Sequence, residues 1–393
     1  MSRNIFGYER PVALTMWDFS WLERRWPGAG YEDWDAALDG LAERGYDAVR
    51  IDAYPHFIAD RPEKERLLLP EWNTQCWGSP YITKVRPFPA LTEFICKCSG
   101  HGIKVCLSTW FRDDGEHVRM GIGSPEEHAG IWIRTLDLIK KECGLDNILC
   151  LDLCNEFPND WAPFFAVLHG RERGESAVKW MKETAELVRR EYPAIPLTFS
   201  SSPPFDYCED VSAFDFLDMH IWMANSCDYY DRVGYHYERF DDSGYDNLML
   251  RGREEYYSDR ERYDAALVAA VTSAAGFSEK TGRPLMTTEC WSLVDYKDAP
   301  LLDWDWIFDL NRLGIKTALG TGRWAALATS NFCGPQFRGM WDNVAWHREM
   351  TDLIKNAKKS RLSADCSKGQ SATKSTLSGW VKSPAAVKLP CGQ

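Results

Sequence analysis

The feature that most constrains this chain is a repeated alternation of short apolar runs with amphipathic stretches. Runs rich in β-branched residues predict buried strands, and stretches with apolar residues three or four apart predict helices. Eight strands are predicted, at 12–17, 48–53, 103–110, 147–155, 195–201, 216–222, 284–289 and 315–320. Helices are predicted between and after them, for example at 31–44, 125–142, 175–191, 259–281, 301–313 and 339–355.

Eight strand–helix units predict an α/β fold, a (β/α)8 TIM barrel that forms a single domain over residues 1–357. A doubly wound sheet is the alternative, but no glycine-rich phosphate loop follows the first strand. The segment 358–393 is rich in Ser and Lys and lacks periodicity, which predicts a disordered tail. Two long connections, 54–88 and 223–258, should lie at the carboxyl face of the barrel, where active sites form.

Composition restricts the partners of the chain. The net charge is −12, and because residues 356–393 hold seven basic residues and one acid, residues 1–355 carry −18. Such an acidic body argues against nucleic acid or an anionic membrane as a partner. The chain also has 18 Trp, 16 Tyr and 18 Phe, and aromatic faces are common platforms for sugars. We therefore expect a carbohydrate ligand; the oligomeric state is not readable from the sequence.

Cysteine usage indicates a reducing compartment. The 13 cysteines are odd in number and contain no C-x-x-C pair, so neither a disulfide framework nor a zinc site is expected. The first residues lack the apolar segment of a signal peptide. A cytoplasmic location is the expectation from these two observations.

In a barrel, functional side chains lie where strands end. The predicted strand ends supply a set of polar and aromatic candidates: Trp17, Asp18, Arg50, Trp110, Asn155, Glu156, His220, Trp222, Glu289 and Trp324. Glu156 and Glu289 follow the fourth and seventh strands, which lie nearly across the barrel, so both carboxylates can face one cavity. Paired carboxylates are the machinery of glycoside hydrolysis, and their separation distinguishes retaining from inverting enzymes.

These residues carry a resemblance to the clan A glycoside hydrolases, and most nearly to the family 5 cellulase-like enzymes, over about residues 10–355. The matching features, in order, are Val49-Arg50-Ile51 on the second strand, Asn155-Glu156 on the fourth, His220 on the sixth, Glu289 on the seventh and Trp324 just past the eighth. The resemblance implies a retaining β-glycoside hydrolase that acts on an oligosaccharide or glycoside without metal or organic cofactor.

The resemblance also implies a role for each residue. Glu156 would be the acid/base and Glu289 the nucleophile. Arg50 would orient the nucleophile, Asn155 would hold the sugar 2-hydroxyl, and Trp324 would form the floor of the central sugar subsite.

The sequence departs from the family at the sixth strand. Family members often have His-x-Tyr there, with the tyrosine against the nucleophile, whereas this chain has His220-Ile221-Trp222. Either Tyr229 or Tyr230 supplies the phenol, or the site lacks one.

Two other functions stay open at this point. Glu156, His220 and Glu289 could bind a divalent ion in a metal-dependent sugar isomerase or epimerase on the same barrel. The third possibility is a carbohydrate-binding barrel without catalysis.

Overall fold

The structure, a computed structural model, describes residues 4–70, 81–158, 174–202, 210–235, 242–296 and 301–357. Residues 1–360 group into one unit by their contacts. The predicted tail, 358–393, lies outside the described residues, so its disorder stays a prediction.

Eight parallel strands form the centre of this unit. They are β1 (Val12–Thr15), β2 (Ala48–Asp52), β3 (Lys104–Ser108), β4 (Ile148–Asp152), β5 (Leu197–Thr198), β6 (Leu217–Asp218), β7 (Leu285–Thr287) and β8 (Trp324–Ala328). Neighbours in the sheet run β5-β4-β3-β2-β1-β8-β7-β6. A parallel bridge from Ser201 to Met219 joins the two end strands. The sheet therefore closes into the predicted TIM barrel.

Helices surround the barrel and fill several of the connections. They are α1 (Ser20–Glu23), α2 (Trp34–Glu43), α3 (Pro55–Asp60), α4 (Pro87–Gly100), α5 (Pro125–Cys143), α6 (Glu175–Glu191), α7 (Tyr229–Val233), α8 (Asp242–Ser258), α9 (Arg260–Thr281), α10 (Asp305–Thr321), α11 (Arg338–Trp341) and α12 (Val344–Asn356). A 3-10 turn covers Val118–Gly121, and a two-stranded hairpin pairs Arg66–Leu68 with Thr83–Val85. None of the described helices is long and apolar enough to cross a membrane.

Local sequence explains why these elements form where they do. Ser124 caps α5, because its hydroxyl accepts a hydrogen bond from the Glu127 amide at 3.2 Å, and Pro125 occupies the first helical position. Every residue of β4 is buried, as expected for a strand covered on both faces.

The predicted eighth strand is wrong. Residues 315–320 form the end of α10, and the eighth strand is Trp324–Ala328. Gly314 lies between the predicted helix 301–313 and the predicted strand 315–320, but in the structure it is inside α10, where the Trp291 ring packs so closely that a Cβ atom would meet it at 2.7 Å. The helix ends instead at Gly322, which has a φ of 67°. Trp324 therefore begins the eighth strand, and the prediction that it follows this strand is wrong.

The second long connection is more regular than predicted. Helix α7 and helix α8 occupy much of 223–258, and residues 236–241, with Tyr237 and Phe240, lie outside the described residues. The tyrosines of this segment that are buried are Tyr229, Tyr230, Tyr235, Tyr245 and Tyr256. Their rings pack on one another and on Trp306. They stabilise the segment as a small aromatic core instead of forming an open wall.

Candidate active site

The carboxyl ends of the strands bring five of the predicted residues together. Arg50 is the third residue of β2, Asn155 and Glu156 follow β4, His220 follows β6, and Glu289 follows β7. Beyond β6 and β7, the short strands Ile221–Trp222 and Cys290–Trp291 pair with each other in parallel. The Ile221 amide donates to the Glu289 carbonyl at 3.1 Å, which fixes His220 beside Glu289.

Arg50 is the centre of the charged network. Its Nη1 donates to Glu289 Oε1 at 3.0 Å, and its Nη2 donates to Asp152 Oδ2 at 3.0 Å and to Asn155 Oδ1. Asp18 Oδ2 lies 3.4 Å from Nη1. The guanidinium is buried and has lost its hydration, and the surrounding carboxylates compensate for that loss. The fixed fork of Arg50 holds the Asn155 and Glu289 side chains in a defined relation to each other.

Asp152 supports this arrangement from beneath and was missed in the sequence. Its Oδ2 accepts from Ser108 Oγ at 2.9 Å and from Ser200 Oγ at 2.8 Å, and its Oδ1 accepts from the Ser200 amide at 2.8 Å. The same Ser200 hydroxyl accepts from the Glu156 amide at 2.9 Å. The sequence did contain an indication of this role, because Asp152 is an acidic residue in the apolar run of β4. A buried carboxylate is rarely tolerated unless a cation or hydrogen-bond donors pair with it.

Glu156 stands in a conformation that few side chains adopt. Its φ is 47°, in the left-handed region, where a non-glycine residue costs of order 1 kcal/mol or more. The Ser200 hydrogen bond to its amide helps hold this backbone. The residue is 8% exposed, whereas Glu289 is fully buried. Glu156 is therefore the more accessible of the two carboxylates.

The two carboxylates lie close to each other, with His220 between them. Oxygen atoms of Glu156 and Glu289 and a ring nitrogen of His220 all lie within 4.8 Å of one another. His220 Nδ1 is 2.7 Å from Glu156 Oε1 and 3.6 Å from Glu289 Oε2. The carboxyl groups of retaining glycosidases are about 5 Å apart, and those of inverting enzymes are farther.

Burial and charge perturb both titratable partners of Glu156. Burial raises the pKa of Glu289 to about 8; the charges on His220 and Arg50 oppose this rise, and Glu156 adds to it. Burial alone would lower the pKa of His220, but the charge on Glu289 and the hydrogen bond with Glu156 raise it to about 9. At neutral pH Glu289 therefore keeps a proton that an isolated carboxyl group would have lost, and His220 stays positively charged.

The two oxygens of Glu289 have different surroundings. Oε1 accepts from Arg50, whereas Oε2 is buried with no hydrogen-bond partner among the described residues. A buried carboxylate oxygen without a donor is costly, and such atoms mark sites with a chemical task. Oε2 is the atom of Glu289 that a substrate could engage.

The remaining predicted residues have mixed placements. Trp110 Nε1 donates to Asp18 Oδ2 at 2.6 Å, so both belong to the network through Arg50. The Trp222 ring lies edge-on to His220 with centroids 5.7 Å apart. Its Nε1 is buried with no acceptor among the residues that the structure describes. Trp17 is buried and packs against Phe337.

Trp324 does not supply the predicted floor. It lies at the beginning of β8, where its Nε1 donates to Thr287 Oγ1 at 2.8 Å. The carboxyl end of β8 instead leads into Thr329, Ser330 and Asn331.

Neither candidate phenol is seen at the nucleophile. The Tyr229 hydroxyl donates to the Gly252 carbonyl at 2.8 Å, and the Tyr230 hydroxyl accepts from the Val294 amide at 2.8 Å. Among the described contacts, neither tyrosine meets Glu289, whereas His220 Nδ1 lies 3.6 Å from Oε2 of that residue.

Comparisons with known proteins identify the family and agree with the barrel fold. A family model described as sugar-binding cellulase-like matches residues 14–355. A crystal structure of a candidate glycoside hydrolase from Parabacteroides distasonis is 46% identical, with a TM-score of 0.86, and the match covers 89% of this chain and 95% of that one. No curated protein matches the chain significantly.

Two more distant structures share the barrel. An endo-1,4-β-D-mannanase from Thermotoga petrophila is 13% identical, with a TM-score of 0.50 and coverage of 82% of this chain and 88% of that one. A glycoside hydrolase family 5 mannosidase from Rhizomucor miehei is 10% identical, with a TM-score of 0.51 and coverage of 90% and 94%. At these identities the likeness is one of fold.

Proposed function

This chain belongs to the sugar-binding cellulase-like family, and on that premise we propose that it is a retaining glycoside hydrolase. Glu156 is the acid/base and Glu289 the nucleophile. The observation that carries the proposal is the pair of carboxylates within 4.8 Å at the carboxyl end of the barrel. This separation fits a direct attack on the anomeric carbon, because an inverting enzyme needs room for a water molecule.

The first step uses the asymmetry of Glu289. Arg50 holds Oε1, so Oε2 attacks the anomeric carbon and forms a glycosyl ester while Glu156 protonates the leaving oxygen. Arg50 and His220 favour the ionised form of Glu289. The guanidinium of Arg50, 3.0 Å from Glu289 Oε1, favours placing the single proton of the pair on Glu156, whereas the Nδ1–H of His220 stabilises Glu156 once that carboxylate is ionised.

The second step reverses the role of Glu156. As a carboxylate it removes a proton from water, and the water oxygen attacks the anomeric carbon and releases Glu289. Asn155, whose Oδ1 is fixed by Arg50, is placed to contact the sugar 2-hydroxyl through its amide. Trp222 is buried beside His220 and offers its Nε1 to a sugar oxygen. An acidic body favours a neutral sugar substrate, such as a short β-linked oligosaccharide or glycoside.

Variant kinetics test the proposal. The substitutions Glu156→Gln and Glu289→Gln remove one carboxylate each with little change in shape, and Glu126→Gln on the exposed face of α5 is the matched control. On aryl β-glycosides and β-linked oligosaccharides we expect losses in kcat of about 10²-fold or more for either site variant. Wild-type kcat in either one refutes the assignment.

A metal-dependent isomerase is the second candidate, because Glu156, His220 and Glu289 enclose a space that a cation could enter. Two contacts disfavour it. His220 Nδ1 already bonds to Glu156, and the Arg50 guanidinium lies 3.0 Å from Glu289 Oε1, so a divalent cation would face like charge.

The family description also favours a third candidate, a barrel that binds sugar without turnover. Calorimetric binding of an oligosaccharide that the protein leaves uncleaved would support that candidate.

A further inference from the structure

A chain of hydrogen bonds runs from Asp218 through Thr288 to His220. The Thr288 amide donates to Asp218 Oδ1 at 3.0 Å, and the Thr288 hydroxyl donates to Asp218 Oδ2 at 2.8 Å. His220 Nε2 lies 3.2 Å from Thr288 Oγ1. All three residues are buried, with exposures of 1% or less. Because a hydroxyl has one proton and Thr288 gives it to Asp218, Oγ1 can only accept from His220.

We propose that Thr288 and Asp218 are positioning residues that keep a proton on His220 Nε2, so that Nδ1 is the nitrogen that gains and loses a proton. This inference deepens the proposed function and takes its catalytic meaning from it. The position of the proton, however, can be measured without turnover. Neither Thr288 nor Asp218 touches the Glu156 and Glu289 carboxylates in the described contacts, and both act through His220.

The opposite arrangement, with the proton of neutral His220 on Nδ1 and not on Nε2, would require a protonated Asp218. Burial raises the pKa of Asp218, and the charges on His220 and Arg50 oppose that rise. Two hydrogen bonds from Thr288 to the two carboxylate oxygens favour the ionised form. If Asp218 instead held a proton on Oδ2, Thr288 would accept it and donate to Nε2. The neutral tautomer of His220 would then be reversed.

Nδ1 of His220 faces the reacting carboxylates, at 2.7 Å from Glu156 Oε1 and 3.6 Å from Glu289 Oε2. The charged and titratable groups around this histidine come from several strands: Glu156 after β4, Asp218 in β6, Glu289 after β7, Arg50 in β2 against Glu289, and Asp18 and Asp152 against Arg50. Carboxyl groups outnumber cations in this set. The imbalance keeps His220 charged and agrees with a pKa raised to about 9.

With Nε2 protonated and His220 charged at neutral pH, the second proton, on Nδ1, has a defined use in the reaction. When Glu156 gives its proton to the leaving oxygen, the new charge on Oε1 forms 2.7 Å from Nδ1–H and is stabilised by it. In the second step Glu156 takes a proton from water, and the proton of His220 stays on Nδ1 throughout. The same N–H lies 3.6 Å from Oε2 of Glu289.

Nitrogen NMR of the full chain labelled with ¹⁵N-histidine tests the inference. The chain has eight histidines, and the signal lost in His220→Gln assigns His220. In a titration of the wild type, Nε2 should keep the shift of a protonated nitrogen while Nδ1 loses its proton. Thr288→Val removes the acceptor of Nε2–H and should lower the pKa of His220 by about one to two units, whereas Thr288→Ser should leave it within about half a unit.

Asp218→Asn supplies a second, nearly isosteric test. The amide of Asn at Oδ2 would donate to Thr288 Oγ1 and free the Thr288 hydroxyl to donate to Nε2, so the neutral tautomer should reverse to Nδ1–H. Deprotonation of Nε2 in the wild type overturns the inference. An unchanged His220 pKa in folded Thr288→Val, or an unchanged tautomer in folded Asp218→Asn, also overturns it. If the wild type cleaves no glycoside, the proposed function fails while these spectra still decide where the proton lies.

Discussion

Replacing Arg50 with Met removes the cation at the centre of the site, and its effects follow from the contacts. The guanidinium lies 3.0 Å from Glu289, 3.0 Å from Asp152 and 3.4 Å from Asp18. Unit charges about 4 Å apart attract by about 4 kcal/mol at an effective dielectric of about 20. At about 1.4 kcal/mol per unit, this attraction corresponds to a rise of about two to three units in the pKa of Glu289. Because the pKa of Glu289 is already raised to about 8, its ionised form would then be far scarcer still at neutral pH.

We therefore expect Arg50→Met to lower kcat/KM by about 10²- to 10³-fold at neutral pH, measured on an aryl glycoside that the wild type cleaves. Loss of one partner of a buried ion pair should also cost about 3–5 kcal/mol in the free energy of unfolding, measured with urea. The matched control is Arg312→Met. Arg312 bonds the exposed Glu349 at 3.0 Å on the surface, so its loss should cost less than about 1 kcal/mol.

Arg50→Lys separates charge from geometry. It keeps the cation but lacks the fork that reaches Glu289 and Asp152 together, so it should recover more stability than activity. The reasoning is refuted if Arg50→Met retains kcat/KM within tenfold of the wild type. It is also refuted if that variant unfolds with the same free energy as Arg312→Met.

Three further outcomes are expected. Glu156 and Glu289 lie close enough to titrate as one pair, and the mechanism needs a single proton on that pair. Because the pKa of Glu289 is raised to about 8, the pair should lose this proton and kcat/KM should fall as the pH rises through about 8; a flat profile above that value would contradict the shared proton. Gly314→Ala should destabilise the protein by about 1–3 kcal/mol, because its Cβ would meet the Trp291 ring at 2.7 Å. The control is Gly320→Ala on the same helix, where a Cβ would have nothing within 4 Å, so this variant should be neutral or slightly stabilising. Equal effects of the two substitutions in urea unfolding would contradict the packing argument. Prolonged treatment with EDTA should leave kcat unchanged, whereas a loss restored by a divalent cation would favour the isomerase.

The order of the elements was predictable because a barrel repeats one unit. Seven of the eight predicted strands overlap strands of the barrel, and helix 175–191 matches its observed bounds. The eighth prediction, a strand at 315–320, was wrong because it placed the boundary between a helix and a strand at Gly314. A glycine at a helix end and a glycine that admits a neighbouring ring look alike in one sequence, since only the fold shows the Trp291 ring against it.

The candidate site was predictable only in its outermost residues. Arg50, Asn155, Glu156, His220 and Glu289 stand at or near strand ends, and the barrel brings those ends together. Asp152, Asp218 and Thr288 act one layer below, and their hydrogen bonds depend on the register between neighbouring strands, which no spacing along the chain encodes. The predicted place of Trp324 was wrong for a different reason, because it followed from the misplaced eighth strand.

Trapping of the covalent intermediate on Glu289 would show directly that this carboxylate is the nucleophile of a retaining reaction. The protein is incubated with a 2-deoxy-2-fluoro β-glycoside that bears a good leaving group and matches a substrate it cleaves, and its peptides are analysed by mass spectrometry. We expect one fluoroglycosyl adduct, on Glu289, in the wild type and none in Glu289→Gln. Turnover of the parent glycoside with an inverted first product and no adduct on Glu289 would contradict this role of Glu289.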